Sequence, residues 1–212
     1  MIAAPWSIAW PVDARVRPSP LSPAGPDAPR AVTPCFTLLV VASADGLIGR
    51  HPGHSPADWA SAEEQALFLS AVDAADWSVM GRGTHETAFR PQRRRIVFSR
   101  SAPAPQWRAP AHLWLDPARL TPDALAALVE TRRPLRDGLI LGGGAVHDWF
   151  HAHRRIDAVS LTIEPVRFGD GLPLFSDQRA RDPVAAFTEK GYKIIAERRL
   201  NAAGTRLVTL AP

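Results

Sequence analysis

The sequence predicts an α/β domain of three layers, a mixed and mostly parallel sheet with helices on its faces and an antiparallel hairpin at its end. Three observations carry that expectation. Residues 36–42 (FTLLVVA) form an uninterrupted apolar run, as a central strand covered on both faces requires. Short apolar runs then alternate with helical patterns in a βαβ rhythm. The closing stretch reads as strand alone.

Taken in order, the first helix opens at Ser61, followed by Glu63 and Glu64, with Ala66, Leu67, Leu69, Ala71 and Val72 supplying apolar positions through Ala75. Short strands follow at 77–80, 96–99, 113–115 and 139–141, separated by helical stretches near 84–89 and 121–131. In the second of these Thr121 is the N-cap and Pro122 the first helical residue. A third helix, 145–153, follows three glycines. The end is a strand at 158–164 and a hairpin of 193–200 with 205–210, turning at 201–204. No internal repeat interrupts this order.

The 212 residues suffice for one well-buried domain and an appendage. With 46% hydrophobic and 22% charged residues, composition excludes disorder throughout and a fibrous repeat. Prolines at 5, 11, 18, 20, 23, 26, 29 and 34 make residues 1–34 an extended arm, leaving the domain at 35–212. Trp6, Ile8 and Trp10 are expected to pack on the domain or on a second subunit. No uncharged apolar run is long enough to cross a bilayer, and the start lacks a signal peptide's basic and apolar regions. A soluble, cytoplasmic protein with no membrane partner is expected. The single cysteine, Cys35, excludes an internal disulfide, a multi-cysteine zinc site and the paired-cysteine signature of nucleotide deaminases. Net charge is +4, and the doublets Arg132 with Arg133, Arg154 with Arg155 and Arg198 with Arg199 are dispersed among acidic residues. That pattern argues against nucleic acid and suits a phosphorylated small molecule.

Three segments could carry chemistry. Ser43-Ala44-Asp45-Gly46-Leu47-Ile48-Gly49 leaves the carboxyl end of the first strand, where open α/β sheets bind ligands; its plain alternative is an Asp-Gly turn. Met80-Gly81-Arg82-Gly83-Thr84 runs from strand into helix, placing bare amides beside an arginine. Gly142, Gly143 and Gly144, followed by Ala145 and Val146, repeat the device without the G-x-G-x-x-G spacing. Two strand–glycine–helix sites in one domain make a dinucleotide the economical ligand. His147 and His151 share a helix face but lack a third metal ligand, so no metal is expected and a structural or solvated role is. Asp170 between two glycines shapes a turn, and no serine-nucleophile elbow is present.

The order S-x-D-G-x-I-G, W-x-S-x-E-E, V-M-G-R-x-T, I-V-F-S, G-G-G before a helix, and D-x-x-x-L-T-I-x-P-V-x-x-G-x-G-x-P-L-F resembles the dihydrofolate reductase fold superfamily. Within it, the chain is most similar to the reductase domain of bifunctional riboflavin-biosynthesis enzymes, over residues 36–210. The resemblance implies NADPH as cofactor. Gly81, Arg82 and Thr84 would hold one end of it, Ser99 and Arg100 would stand near the 2′-phosphate, and Gly142, Gly143 and Gly144, with Ala145 and Val146 behind, would underlie the pyrophosphate. Ala42 and Ile48 would flank the nicotinamide. Glu64, four residues before Phe68, and Asp45 are the implied catalytic residues; Ser43, Trp59, Arg93 and Thr162 are the implied substrate contacts. Glu64 also suits the helix dipole, and Arg93 to Arg95 also read as a solvated basic turn. Leu47 stands where riboflavin-type enzymes carry a lysine, and Leu141 where a glutamate precedes the glycines. Residues 51–59 lack the Pro-Trp arrangement of dihydrofolate reductases.

The implied activity is hydride transfer to a C=N carbon of a 5-amino-6-(5-phosphoribosylamino)uracil-like substrate. The alternatives are reduction of a pterin and a nucleotide-binding homologue without turnover. A reductase-only protein that forms a homodimer is expected.

Overall fold

The computed structural model describes residues 33–179 and 181–212. Residues 1–32, expected as an extended arm and including Trp6, Ile8 and Trp10, lie outside them. From the first strand the order is β1 (Cys35–Ser43), β2 (Leu47–Gly49), α1 (Ala62–Ala74), β3 (Trp77–Gly81), α2 (Arg82–Thr87), β4 (Arg95–Phe98), β5 (Gln106–Ala109) and β6 (His112–Leu115). There follow α3 (Pro122–Val129), β7 (Asp137–Gly142), α4 (Gly144–Ala152), β8 (Ala158–Glu164), β9 (Leu172–Pro173), α5 (Ala185–Thr188), β10 (Lys193–Arg199) and β11 (Arg206–Ala211).

Nine strands form one sheet in the order β10-β11-β8-β1-β7-β3-β4-β6-β5. The six from β8 to β6 run parallel, while β11, β10 and β5 pair antiparallel at the two ends. β2 and β9 make a separate two-stranded sheet. The apolar β1 is central, as its sequence requires, because helices cover both of its faces. On one face Phe36, Leu38 and Ala42 join Trp77, Val79, Ile96 and Ile140 with Leu125 and Val129 of α3 and Val146 and Phe150 of α4. On the other, Leu39 and Leu139 meet Val72 of α1 and Ala75.

Both predicted N-caps form: Ser61 Oγ accepts from the Glu64 amide, and Thr121 Oγ1 from the Ala124 amide. The expected boundaries shift by one or two residues. α2 begins at Arg82 rather than Thr84, and α4 at Gly144 rather than Ala145, because the glycines before them serve as caps. β2, β5, β9 and α5 have no counterpart in the sequence reading. They are two to four residues long, too short for a period to show.

The core depends on Phe150, which is fully buried with its ring centroid 4.9 Å from Phe36 and 6.3 Å from Phe98. Phe150→Ala is expected to cost about 3–5 kcal/mol in urea denaturation. A loss below about 1 kcal/mol would contradict this packing.

Candidate active site

The parallel strands end side by side, and the chain leaves neighbouring ends in opposite directions. β1 leads to α1 on one face and β7 leads to α4 on the other, so a crevice opens between them at the carboxyl ends. Glycines shape its floor. A Cβ on Gly81 would lie 3.7 Å from Val146 Cγ2 and 3.9 Å from Gly142 O; one on Gly143 would lie 3.7 Å from Ile48 Cδ1. Gly142 has φ +85° and forms a cis peptide with Gly143. A side chain there would strike the His147 ring. Thus both strand–glycine–helix segments and Ile48 converge on one cradle. α4 starts in it with no capping side chain among the described residues, so the amides of its first turn present their dipole to that space.

Around the cradle, Arg82 is exposed at the start of α2, 3.9 Å from Glu86, and Arg100 is exposed just beyond β4. Thr84 is half-buried. Ser99 Oγ is paired with Ser101 Oγ at 2.8 Å. Ala42, near the carboxyl end of β1, is fully buried, and its methyl group belongs to the core.

On the α1 side, Glu64 lies in the first helical turn with 4% exposure. Burial, and secondarily the charge of Glu164, push its carboxyl up to about 7. No described residue donates a hydrogen bond to that carboxyl. Thr162 is buried on β8, two residues before Glu164 and so on the same face of the strand. Trp59 lies edge-on to Phe168, centroids 4.9 Å apart, and its buried Nε1 has no partner among the described residues.

Asp45 takes a different place from the one expected. Its carboxylate accepts from Ser43 Oγ at 2.7 Å and from the amides of Gly169 at 2.8 Å and Phe168 at 3.1 Å. Against burial, which raises it, the Ser43 hydroxyl and those amides hold it below the usual carboxylate range. A charged group with its lone pairs engaged anchors the β1 loop to residues 168–169 and is a poor proton donor. Ser43 is consumed in the same contact, since its Oγ also accepts from the Leu47 amide.

Arg93 does not join the crevice. It sits 3.8 Å from Asp73 near the far end of α1, on a cavity of about 220 Å³ with Val72, Ser78 and Gln92. Its neighbours correct the solvated-turn alternative. Arg94 donates to the carbonyls of Asp76 and Ala75, and Arg95, 3% exposed, donates to those of His85 and Ala88. β4 turns Arg95 inward, where it ties α2 to the sheet.

His147 is wholly buried, with Nδ1 2.7 Å from Leu174 O; burial lowers its pKa to about 4, so Nδ1–H donates, and Nε2 has no partner among the described residues. His151 meets Tyr192 Oη at 3.2 Å. Among the described residues no group of three metal-ligating side chains forms.

The residue missed by the sequence reading is Glu164. It stands at the unspecified position of L-T-I-x-P, where a carboxylate ends an apolar strand. That contrast was the available signal.

The profile of the RibD C-terminal domain family matches residues 34–198. The chain belongs to this family. Membership makes this RibD C-terminal domain an oxidoreductase of the riboflavin-biosynthesis type. A riboflavin biosynthesis protein from Shewanella sp. PV-4 superposes with TM-score 0.59 at 17% identity, over 84% of this chain and 98% of that one. The diaminohydroxyphosphoribosylaminopyrimidine deaminase/5-amino-6-(5-phosphoribosylamino)uracil reductase of Thermotoga maritima gives 0.61 at 17%, over 84% of this chain and 56% of that one. Dihydrofolate reductase from Enterococcus faecalis, complexed with NADP(H) and RAB-propyl, gives 0.56 at 16%, over 84% and 95%. At such identities these likenesses establish the fold, which is that of dihydrofolate reductase. No curated protein sequence matches the chain significantly. Among the described residues no helix is long and apolar enough to cross a membrane.

Proposed function

We propose that this domain is an NADPH-dependent reductase acting on the C=N carbon of a phosphorylated ribosylaminopyrimidine of 5-amino-6-(5-phosphoribosylamino)uracil type. The observation that carries the reading is the glycine cradle at the start of α4, set at the same end of the sheet as a buried carboxylic acid that keeps its proton near neutral pH. The cradle suits a dinucleotide: added Cβ atoms at Gly81 and Gly143 would fill it, and the uncapped amides of Gly144 and Ala145 favour phosphate oxygens. Arg82 and Arg100, exposed beside it, would grip a 2′-phosphate and so select NADPH over NADH.

When bound, the reduced nicotinamide supplies the hydride. The chain's part is position and a proton. As the imine carbon is reduced, the C–N π pair moves to nitrogen, which must be protonated; Glu64, protonated below about pH 7, donates that proton. Ile48 forms one wall, and Trp59 with Phe168 narrows the α1 side. Asp45 holds the loop that carries Ile48.

A pterin is the second reading, favoured by Arg93 beside Asp73, nine residues beyond Glu64 along α1 and thus about 13 Å away. A substrate long enough to span that distance would have its anionic end at Arg93.

The test is NADPH consumption by the full chain with the deaminated ribosylaminopyrimidine phosphate and, in parallel, with dihydrofolate. Turnover of the first alone is expected. Turnover of dihydrofolate alone would transfer the assignment to the second reading, and NADPH binding without turnover of either would remove both. We further propose a homodimer, supported by β10, whose seven residues are all exposed, Ile194 and Ile195 included. Light scattering is expected to give twice the chain mass, and Ile195→Asp the single mass.

A further inference from the structure

We propose that Glu164 is a positioning residue for Glu64: a buried carboxylate that sets the first turn of α1 and stands as a fixed negative charge behind the proton donor. The inference rests on Glu64 serving as the donor. Glu164 ends β8 in register with Ser43 of β1, at the crevice end of the sheet, and is 3% exposed. Oε1 accepts from the Ser61 amide at 2.8 Å and from Ser61 Oγ at 2.7 Å; Oε2 accepts from Thr205 Oγ1 on the hairpin at 2.6 Å. All three bonds are accepted, the pattern of a carboxylate rather than a carboxylic acid.

Ser61 is also the N-cap whose Oγ receives the Glu64 amide. The chain Thr205–Glu164–Ser61–Glu64 therefore links the hairpin, β8 and α1 to the placement of one side chain. The two buried carboxyls differ in their donors: Glu164 has three, and the Glu64 carboxyl has none among the described residues. Where two acids share a low-dielectric site, the one with donors takes the charge and the other keeps the proton.

Other charged groups on the surrounding elements are engaged or turned outward. Glu63, on α1, accepts from Asn201 at 3.0 Å. Asp45 is bound by Ser43 and the 168–169 amides. Arg206 on β11 pairs with Glu197 at 2.6 Å, Arg50 lies over the Phe168 ring, and Asp58 and Arg167 are exposed. Glu164 itself forms no ion pair among the described residues, so its charge reaches Glu64 without a cation to offset it.

The experiment follows the Glu64 carboxyl by 13C NMR across pH in the full chain. Glu164→Gln is expected to lower its midpoint by up to about one unit, and to move the high-pH decline of turnover to lower pH by the same amount. Glu164→Asp, which keeps the charge and shortens the reach to Ser61, is expected to keep the midpoint and lower kcat. A folded Glu164→Gln with the wild-type midpoint overturns the proposal. Should Glu164→Gln fail to fold, Ser61→Ala decides: a kcat reduced about tenfold with the KM for NADPH unchanged is expected, and an unchanged kcat overturns it. If instead Glu64→Gln keeps full turnover, the Glu64 reading itself falls, an outcome these variants distinguish.

Discussion

Glu64→Gln lowers turnover by about 10²–10⁴-fold, the usual contribution of a positioned general acid, while leaving the affinity for NADPH unchanged. The measurement is NADPH oxidation beside a fluorescence titration of the cofactor. The same substitution is expected to stabilise the fold at alkaline pH. Below about 4.5, the ordinary carboxyl value, Glu64 is protonated in both the folded and unfolded chain, so its burial carries no ionisation penalty. Between about 4.5 and 7 the unfolded chain loses that proton while the folded chain retains it, and stability falls. Above 7 the full penalty, on the order of 3 kcal/mol, is present. Glutamine mimics the neutral acid and escapes it. The variant should therefore unfold at higher urea than wild type at pH 8 and at the same urea at pH 4. Equal stability at both pH values would show that Glu64 is not held protonated by its surroundings. Wild-type turnover should decline as pH rises through about 7, since the proton is then gone.

That the acid was legible and its partner was not follows from what a linear pattern contains. Ser61, Glu63 and Glu64 before an apolar periodic stretch declare a helix start, and the cap forms as read. β8 falls on residues 158–164 as read, because its apolar run is bounded by Asp157 and Pro165. Glu164 acquires meaning only through Ser61, 103 residues away, and Thr205, 41 away. Asp45 misled for the same reason. Its partners Phe168 and Gly169 lie 123 and 124 residues on, and with them an acid in a ligand-side loop becomes an anchor. Arg95 shows the opposite error. Three consecutive arginines also read as a solvated turn, yet β4 is buried on both faces, and its first residue, Arg95, is covered by His85 and Ala88.

Gly142→Ala is expected to destabilise the domain by about 2–5 kcal/mol and to abolish dinucleotide binding, whereas Gly83→Ala should stabilise it by about 0.4–1 kcal/mol. Both glycines belong to strand–glycine–helix segments, Gly142 closing β7 and Gly83 standing second in α2. Their backbones separate them. Gly142 has φ +85°, where a side chain costs about 1–2 kcal/mol, and an added methyl meets the buried His147 ring, an overpacking of about 1–3 kcal/mol. The ring has nowhere to go, since it is wholly buried and Nδ1–H is bound to Leu174 O. The backbone must give instead, and with it the peptide that begins the cradle. Gly83 lies inside α2 with no positive φ and no atom of the described residues within 4 Å of an added Cβ, so alanine there only restricts the unfolded chain. Urea denaturation and NADPH fluorescence read both effects. His147→Ala combined with Gly142→Ala should recover the overpacking portion and retain the φ portion. NADPH binding by Gly142→Ala at wild-type affinity would mean that the cofactor does not depend on this turn, and the cradle would lose its assignment.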